Sequence, residues 1–468
     1  MSSAIVVGAG PNGLACAAIL AKRGVEVTVI EAEDRIGGGT RSSELTVPGL
    51  LHDECSATHP MAVGAPAAVE LELERHGLTW AWPEVDLAHP LPGGGASFLR
   101  SVEETAAGLG EAGDRWRRIF GPSSKSYEAL TADIYRPLPH LPRHPLRLLR
   151  FGLPSAAPAA LLARALGSEE AAALWGGIAA HSYAELSWPL SSAIGMALLC
   201  AGHAHGWPVA KGGSQAIADA YAGVIEERGG RIETGRRVRS LAELPRADAV
   251  VLDLSPSLVL ELAGDRLPPR VARAYRRFKH GPGAFKLDLA VEGGVPWLYE
   301  PARRAGTVHV AGSFAELAHA EREINRGRMP ERPFVLVGQQ YLADPQRSQG
   351  DLHPVWAYAH VPSGYSGDAT EAILDQIQRF APGFRDRIVA TAARAPVEIE
   401  AADANFIGGD ILGGANTPVQ LFARPRATLV PYWTGAPGVF ICSASTPPGA
   451  GAHGINGFNA AEAVLRTL

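Results

Sequence analysis

The chain has 468 residues, and its 43 basic and 48 acidic side chains give a formal net charge of −5, which leaves no basic field for nucleic acid. Its four cysteines, Cys16, Cys55, Cys200 and Cys442, form no C-x-x-C, so no redox dithiol and no metal cluster of the usual spacing is expected. No apolar run approaches the roughly 18 residues of a membrane span, and the first strand begins by residue 4, leaving no room for a cleaved leader. The expectation is a reduced, cytoplasmic protein whose only membrane contact is peripheral.

In chain order, Ala4-Ile-Val-Val runs into Gly8-Ala-Gly10-Pro11-Asn12-Gly13, a buried strand ending in G-x-G-x-x-G. The first glycine turns the chain, the second lets backbone approach a pyrophosphate, and the third lets helix and strand pack closely. A helix of small and apolar residues over 14–23 follows, then a strand over 25–30. That strand ends at Glu31, about 20 residues past the turn, where a carboxylate accepts from both ribose hydroxyls of an adenosine. Together these make a βαβ dinucleotide fingerprint. Directly behind the acid lies a second glycine-rich turn, Arg35-Ile-Gly37-Gly38-Gly39-Thr40-Arg41. A plain nicotinamide dehydrogenase needs no second phosphate cradle here. FAD does, because its pyrophosphate and ribityl chain pass over more backbone, and either Arg35 or Arg41 can meet its charge. FAD is therefore the expected cofactor.

A short helix is expected over 67–76, and Pro90-Leu-Pro-Gly-Gly-Gly95 turns a hairpin whose second strand covers 96–100. Residues 101–204 are mostly helical by composition, with cap-like starts at Ser101-Val-Glu-Glu104 and Ser168-Glu-Glu170. Within them, Tyr135 to Phe151 mixes arginines with leucines and prolines. It reads either as a helical lid with a solvated basic edge or as a rim that meets a membrane or admits an apolar substrate. A helix begins near Gly213 and ends at Gly229-Gly230, residues 231–241 supply edge strands, and 249–254 reads as a buried strand. Strands over 284–291, 307–311, 334–339 and 355–360 are interrupted by helices over 313–326 and 368–379. A strand over 438–442 leads to Gly449-Ala-Gly451-Ala-His453-Gly454, a second literal G-x-G-x-x-G, and a helix over 457–465. With no ribose-binding acid after it, this turn is read as aiming a helix N-terminus at a flavin ring, where backbone N–H groups stabilise negative charge. His453 either orients substrate beside that ring or caps its own turn.

The triplet Gly8 to Gly13, Glu31-Ala32, the Arg35-Ile-Gly37-Gly38 turn and Gly49-Leu-Leu-His-Asp53 resemble the amine oxidase and phytoene desaturase superfamily of FAD flavoproteins. The phytoene-dehydrogenase-related branch is the most similar. The likeness covers nearly the whole chain and recurs at Lys211-Gly-Gly-Ser214, Phe278 to Lys286, Gly408-Gly-Asp410 and Gly449 to Gly454. Many relatives carry arginine after the paired glycines, where this chain has Gly39 and sets Arg41 two residues later.

The resemblance implies an α/β fold with two discontinuous domains. An FAD-binding Rossmann-like domain is assembled from 1–75, 205–277 and 401–468, and a substrate domain of mixed β-sheet roofed by helices from 76–204 and 278–400. Together with the motifs it assigns the cofactor to Gly8, Gly10, Pro11, Asn12, Gly13, Glu31, Ala32, Arg35, Gly38, Gly39, Thr40, Arg41, Val238, Gly449, Gly451, His453 and Gly454. The implied activity is dehydrogenation or isomerisation of an apolar, carotenoid- or polyene-like substrate by hydride transfer to flavin N5, with oxygen or a quinone as electron acceptor. Two alternatives stay open: an amine oxidase acting on a small polar substrate, and a flavin-stabilised interaction protein without turnover. The substrate cavity is expected between the domains, lined partly by 176–205 (Ala179, Ala180, Tyr183, Met196), with its entrance near 135–151.

Overall fold

Two large sheets organise the chain. They are seen in a computed structural model that describes residues 2–137 and 140–468; Leu138 and Pro139, in the proline-rich stretch after Tyr135, lie outside the described residues. The first sheet has five parallel strands in the order Val439–Ile441, Ala249–Leu252, Ser3–Val7, Glu26–Ile30 and Arg231–Glu233. Val and Ile dominate it because a parallel sheet is covered on both faces. Alternation divides the strands between two cores. Val6, Val27 and Val29 pack with the helices Pro11–Lys22, Gln215–Glu227 and Ile455–Leu465. Ile5, Val7 and Ile30 pack with Pro256–Ala263 and Pro269–Arg276. Of the expected edge strands over 231–241, only Arg231–Glu233 joins the ladder. Gly235 and Arg236 instead donate to the carbonyls of Glu33 and Glu31, walling the end of the second strand.

The second sheet runs Ile388–Arg394, Gly283–Glu292, Leu352–Val361, Val335–Gly338, Ala305–Val310, Val85–Leu91 and Gly94–Phe98. All its pairs are antiparallel except Ala305–Val310 with Val85–Leu91. Its edge strand Ile388–Arg394 alternates half-buried and exposed residues, too weak a pattern to be read from sequence. On one face Val335, Val337, Val355 and Ala357 meet Ile373, Ile377 and Phe380 of the helix Thr370–Phe380. On the other, Leu336, Trp356 and Tyr358 share a core with Trp116, Phe120 and Trp175 of the helical roof. Each such fully buried side chain contributes roughly 1.5–3 kcal/mol. Two roof helices start on the serines singled out above: Ser101 accepts from Glu104 N and Ser168 from Ala171 N, both at 3.2 Å.

A buried charge network ties the connection between Val335–Gly338 and Leu352–Val361 to two segments from earlier in the chain. Arg347, 1% exposed, pairs with Asp53 (2.6 Å) and Asp344 (3.2 Å) and donates to the carbonyl of Ala210 (2.8 Å). Asp53 also accepts from Ser214 N at 2.7 Å and from the Ser42 hydroxyl at 2.8 Å. Burial pushes Asp53 up, but Arg347 and Ser214 outweigh it and hold the carboxyl below its ordinary value. The Gly49–Asp53 and Lys211–Ser214 motifs thus meet at this network.

Candidate dinucleotide and substrate site

The first strand ends at Val7, and Gly8 turns the chain at φ +100° while its N–H donates to the carbonyl of Ile30 at 2.8 Å. Glu31 folds back beneath the turn. Its Oε2 accepts from Ala9 N at 2.6 Å and its Oε1 from Glu33 N at 2.9 Å, and each oxygen keeps a lone pair. Glu31 lines a cavity of about 400 Å³ together with Gly8, Gly10, Ala32, Gly38, Arg41 and Val238, and with the exposed Arg236, Arg237 and Arg239.

Gly10 and Gly38 are in backbone contact, since a Cβ on Gly38 would lie 3.1 Å from Gly10 Cα, and the carboxylates of Asp253 and Asp403 stand beside them. Gly10, Asp253, Asp403 and Asn405 line this cavity and also a second chamber of about 240 Å³. Pro11, Asn12, Gly39, Ser443, Gly451 and Ala452 line the chamber from the nucleotide side. His181, Ile194, Leu198, Trp207, Leu336, Trp356 and Tyr358 line it from the roof and the second sheet. The junction fits a dinucleotide laid along Gly10: Glu31 stands at a ribose position, and the N-terminus of the helix Pro11–Lys22 favours an anion at the glycine turn.

The remaining candidate residues divide between the site and the structure around it. Gly13 packs helix against turn, since a Cβ there would be 2.2 Å from the carbonyl of Gly8. Arg35 turns away to the Ser43 hydroxyl (3.0 Å), the Ser42 carbonyl (2.8 Å) and Glu54 (3.8 Å), and lines neither cavity. Arg41 is the arginine that lines the Glu31 cavity, fixed by the carbonyls of Gly38 (3.1 Å) and Ala402 (2.8 Å). Thr40 is buried and donates to the carbonyl of Gly37 at 2.8 Å, holding the turn. Gly449 lies against Arg424, and Gly454 against Tyr221 and Ala15. His453 is off the chamber wall: its Nδ1 accepts from Ile455 N at 3.1 Å, its ring stacks near Tyr135, and burial lowers it to about 4. It therefore caps its own turn. Of segment 176–205, His181, Ile194 and Leu198 line the chamber while Ala179, Ala180, Tyr183 and Met196 pack in the core, and no described residue of 135–151 lines it.

Several residues at the site went unread in the sequence. Asp253 ends a buried parallel strand, where open α/β sheets bind ligands, and that position was its one legible signal. Its Oδ2 accepts from Gly13 N at 2.8 Å, and burial, helped by Asp403 and Glu31, raises it to about 7. Burial likewise raises Asp403 to about 6. Beside the chamber, a pocket of about 30 Å³ is lined by Lys286, Cys55, Trp356, Arg394 and Asp403. Lys286 is ion-paired with Asp288, and burial lowers its pKa against that pull. Burial pushes the Cys55 thiol up to about 12, so it stays protonated and unreactive. The thiols of Cys16 and Cys442 meet in the core behind the glycine turn, both fully buried. Among the described residues, no group of His, Cys, Asp and Glu is placed to hold a metal ion, and no helix is long and apolar enough to cross a membrane.

Residues 6–67 match the NAD(P)-binding Rossmann-like domain family. The chain is 23% identical to pyridine nucleotide-disulfide oxidoreductase domain-containing protein 2 of Mus musculus, over 99% of this chain and 93% of that protein. Among solved structures, an oxidoreductase from Methanosarcina mazei superposes with a TM-score of 0.65 at 16% identity, covering 99% of this chain and 100% of that one. Putrescine oxidase bound to putrescine superposes with a TM-score of 0.60 at 17% identity, covering 100% and 98%. Residues 6–67 thus match an NAD(P)-binding Rossmann-like domain, the chain is similar over nearly its whole length to pyridine nucleotide-disulfide oxidoreductase domain-containing protein 2, and it shares the fold of putrescine oxidase and of the Methanosarcina mazei oxidoreductase.

Proposed function

We propose that this protein is an FAD-dependent oxidoreductase that dehydrogenates an apolar substrate. The observation that carries the reading is the continuity at Gly10: Gly10, Asp253, Asp403 and Asn405 line both a cavity that ends on a ribose-position acid and an aromatic and aliphatic chamber. Glu31, Gly10, Gly38 and Arg41 would hold the adenosine and pyrophosphate, and Gly39, Ser443 and Gly451 the ring end. When bound, FAD supplies a hydride acceptor in the chamber.

The chain's own residues orient the substrate and exclude water. Ile194, Leu198 and Leu336 offer an apolar wall, and Trp207, Trp356 and Tyr358 close it from the roof and sheet. Oxidation of a small amine is the weaker reading, because the carboxylates lining the chamber, Asp253 and Asp403, both sit at its nucleotide end. Molecular oxygen or a soluble quinone is the proposed electron acceptor.

The test is to identify the released flavin and then follow flavin bleaching under anaerobic conditions with terpenoid hydrocarbons, cyclic ketones and primary amines in turn. Bleaching by amines alone would replace this reading with amine oxidation, and bleaching by none would favour an interaction protein.

A further inference from the structure

A histidine pair stands on the chamber wall away from the glycine turn. His181, just past the helix Glu169–Ala180, lines the chamber, and its Nε2 lies 3.0 Å from Nε2 of His309 on the strand Ala305–Val310. Their ring centroids are 5.1 Å apart, and Trp207 packs edge-on against His181 at 5.5 Å.

The tautomers of this pair follow from its surroundings. His309 is fully buried and its Nδ1 has no hydrogen-bond partner. That nitrogen lies against the Cα of Gly177, where an added Cβ would be 2.3 Å away. A proton on Nδ1 would point into this methylene with no acceptor, whereas a bare nitrogen accepts the weak Cα–H contact. His309 therefore carries its proton on Nε2 and donates it to His181 Nε2. His181, accepting there, must carry its own proton on Nδ1, which makes no hydrogen bond to a described residue.

The neighbours do not disturb this arrangement. His89 donates its Nε2 proton to the carbonyl of Gly312 at 2.8 Å, and Glu321 is engaged by His360 Nδ1 at 2.7 Å, so no carboxylate reaches the pair. Burial lowers His181 to about 3 and His309 well below its ordinary value, so both rings are neutral.

We propose that His309 locks His181 as a neutral Nδ1–H donor aimed at the substrate, and that the substrate is an apolar molecule carrying an acceptor oxygen, of the carbonyl class, rather than a bare hydrocarbon. The proposal rests on reading the chamber as the substrate site. His181 is then a specificity residue and His309 its positioning residue.

The full-length protein labelled with 15N-histidine tests the lock. Long-range 1H–15N spectra should show, beside other Nδ1–H histidines such as His360, an imidazole with Nδ1 protonated and Nε2 bare that disappears in His181→Phe and becomes a mixture of tautomers in His309→Phe. An Nε2–H tautomer or an imidazolium at neutral pH for His181 overturns the proposal.

The substrate class is tested by tryptophan fluorescence, since Trp207 and Trp356 line the chamber, using cyclohexanone and its near-isostere methylenecyclohexane as probes. His181→Phe should weaken the ketone about tenfold and leave the alkene unchanged. Equal loss for both probes, or loss for neither, overturns the substrate class. A colourless protein would count against the flavin reading alone, because both readouts can still be measured on it.

Discussion

Replacing Asp253 with asparagine should remove most of the pH dependence of folding that arises at the glycine turn. An ordinary aspartate ionises near 3.8, whereas Asp253 in the fold ionises only at about 7. At about 1.36 kcal/mol per pH unit, that gap sets on the order of 4 kcal/mol against the ionised folded state. The folded chain holds this proton more tightly than the unfolded chain does. The stabilisation is therefore complete below about pH 4 and is lost as pH rises toward 7. Asparagine keeps an oxygen to accept from Gly13 N and carries no charge. Asp253→Asn should thus match the parent near pH 4 and exceed it by up to about 4 kcal/mol at pH 8. Urea unfolding of the flavin-free protein at pH 5 and pH 8 measures the difference. An increment that is the same at both values, or a variant less stable than the parent at pH 8, would refute the reasoning. The same substitution removes an anion from beside Gly10, so FAD affinity at pH 8 should rise.

Gly10→Leu should yield a folded, colourless protein, because its Cβ alone would lie 2.8 Å from Asp253 Oδ2 and its side chain would occupy the stretch that lines both cavities; retention of bound flavin would show that the cofactor takes another path. Arg347→Met leaves Asp53 and Asp344 buried without their cation and should cost roughly 3–5 kcal/mol by urea unfolding, whereas a loss below about 1 kcal/mol would mean that water reaches the network. Leu141, Leu146, Leu149 and Leu153 are 93%, 73%, 56% and 66% exposed on or beside the helix Pro145–Ala156, next to exposed Arg143, Arg147 and Arg150. Vesicles containing anionic lipid should therefore sediment the protein at low salt, and Leu149→Glu with Leu153→Glu should abolish this; equal sedimentation of the double variant would return that helix to a solvated face. NADH and NADPH should bleach the flavin slowly or not at all, because the second glycine motif leads into the C-terminal helix and the buried Cys16 and Cys442 are out of reach of solvent; stopped-flow bleaching at the rate of turnover would reveal a nicotinamide site.

What could be read in the sequence was local. The strand into Gly8, the acid at Glu31 and the serine caps at Ser101 and Ser168 depend on neighbours a few residues away, and each is found in place. The choice between Arg35 and Arg41 was not local: it turns on Ser43 and Glu54 drawing one side chain outward while Ala402, 361 residues on, holds the other inward. Asp253 owes its character to burial beside Asp403 and Glu31 and is held by Gly13, 240 positions earlier, and Arg347 has its partner in Asp53, 294 positions away. His453 was drawn toward the cofactor by its motif, yet one backbone N–H two residues later holds its ring.

The close packing of the last helix on the first has a consequence for biogenesis. A Cβ on Gly457 would lie 2.0 Å from the carbonyl of Asn12, so Ile455–Leu465 seals directly onto the helix that carries the glycine turn. The parallel strand Val439–Ile441 likewise reaches its partner Ala249–Leu252 only after most of the polypeptide has been made. A nascent chain therefore lacks part of the cover of its first helix until Ile455–Leu465 has been made, although Gln215–Glu227 can already pack on it. Such long-range closure folds slowly, and the unsealed unit is the stage at which this protein would call on a chaperone. A chain that stops short of Gly457 lacks this seal on the helix that carries the glycine turn, so the turn would be set for a dinucleotide only late in the chain's synthesis.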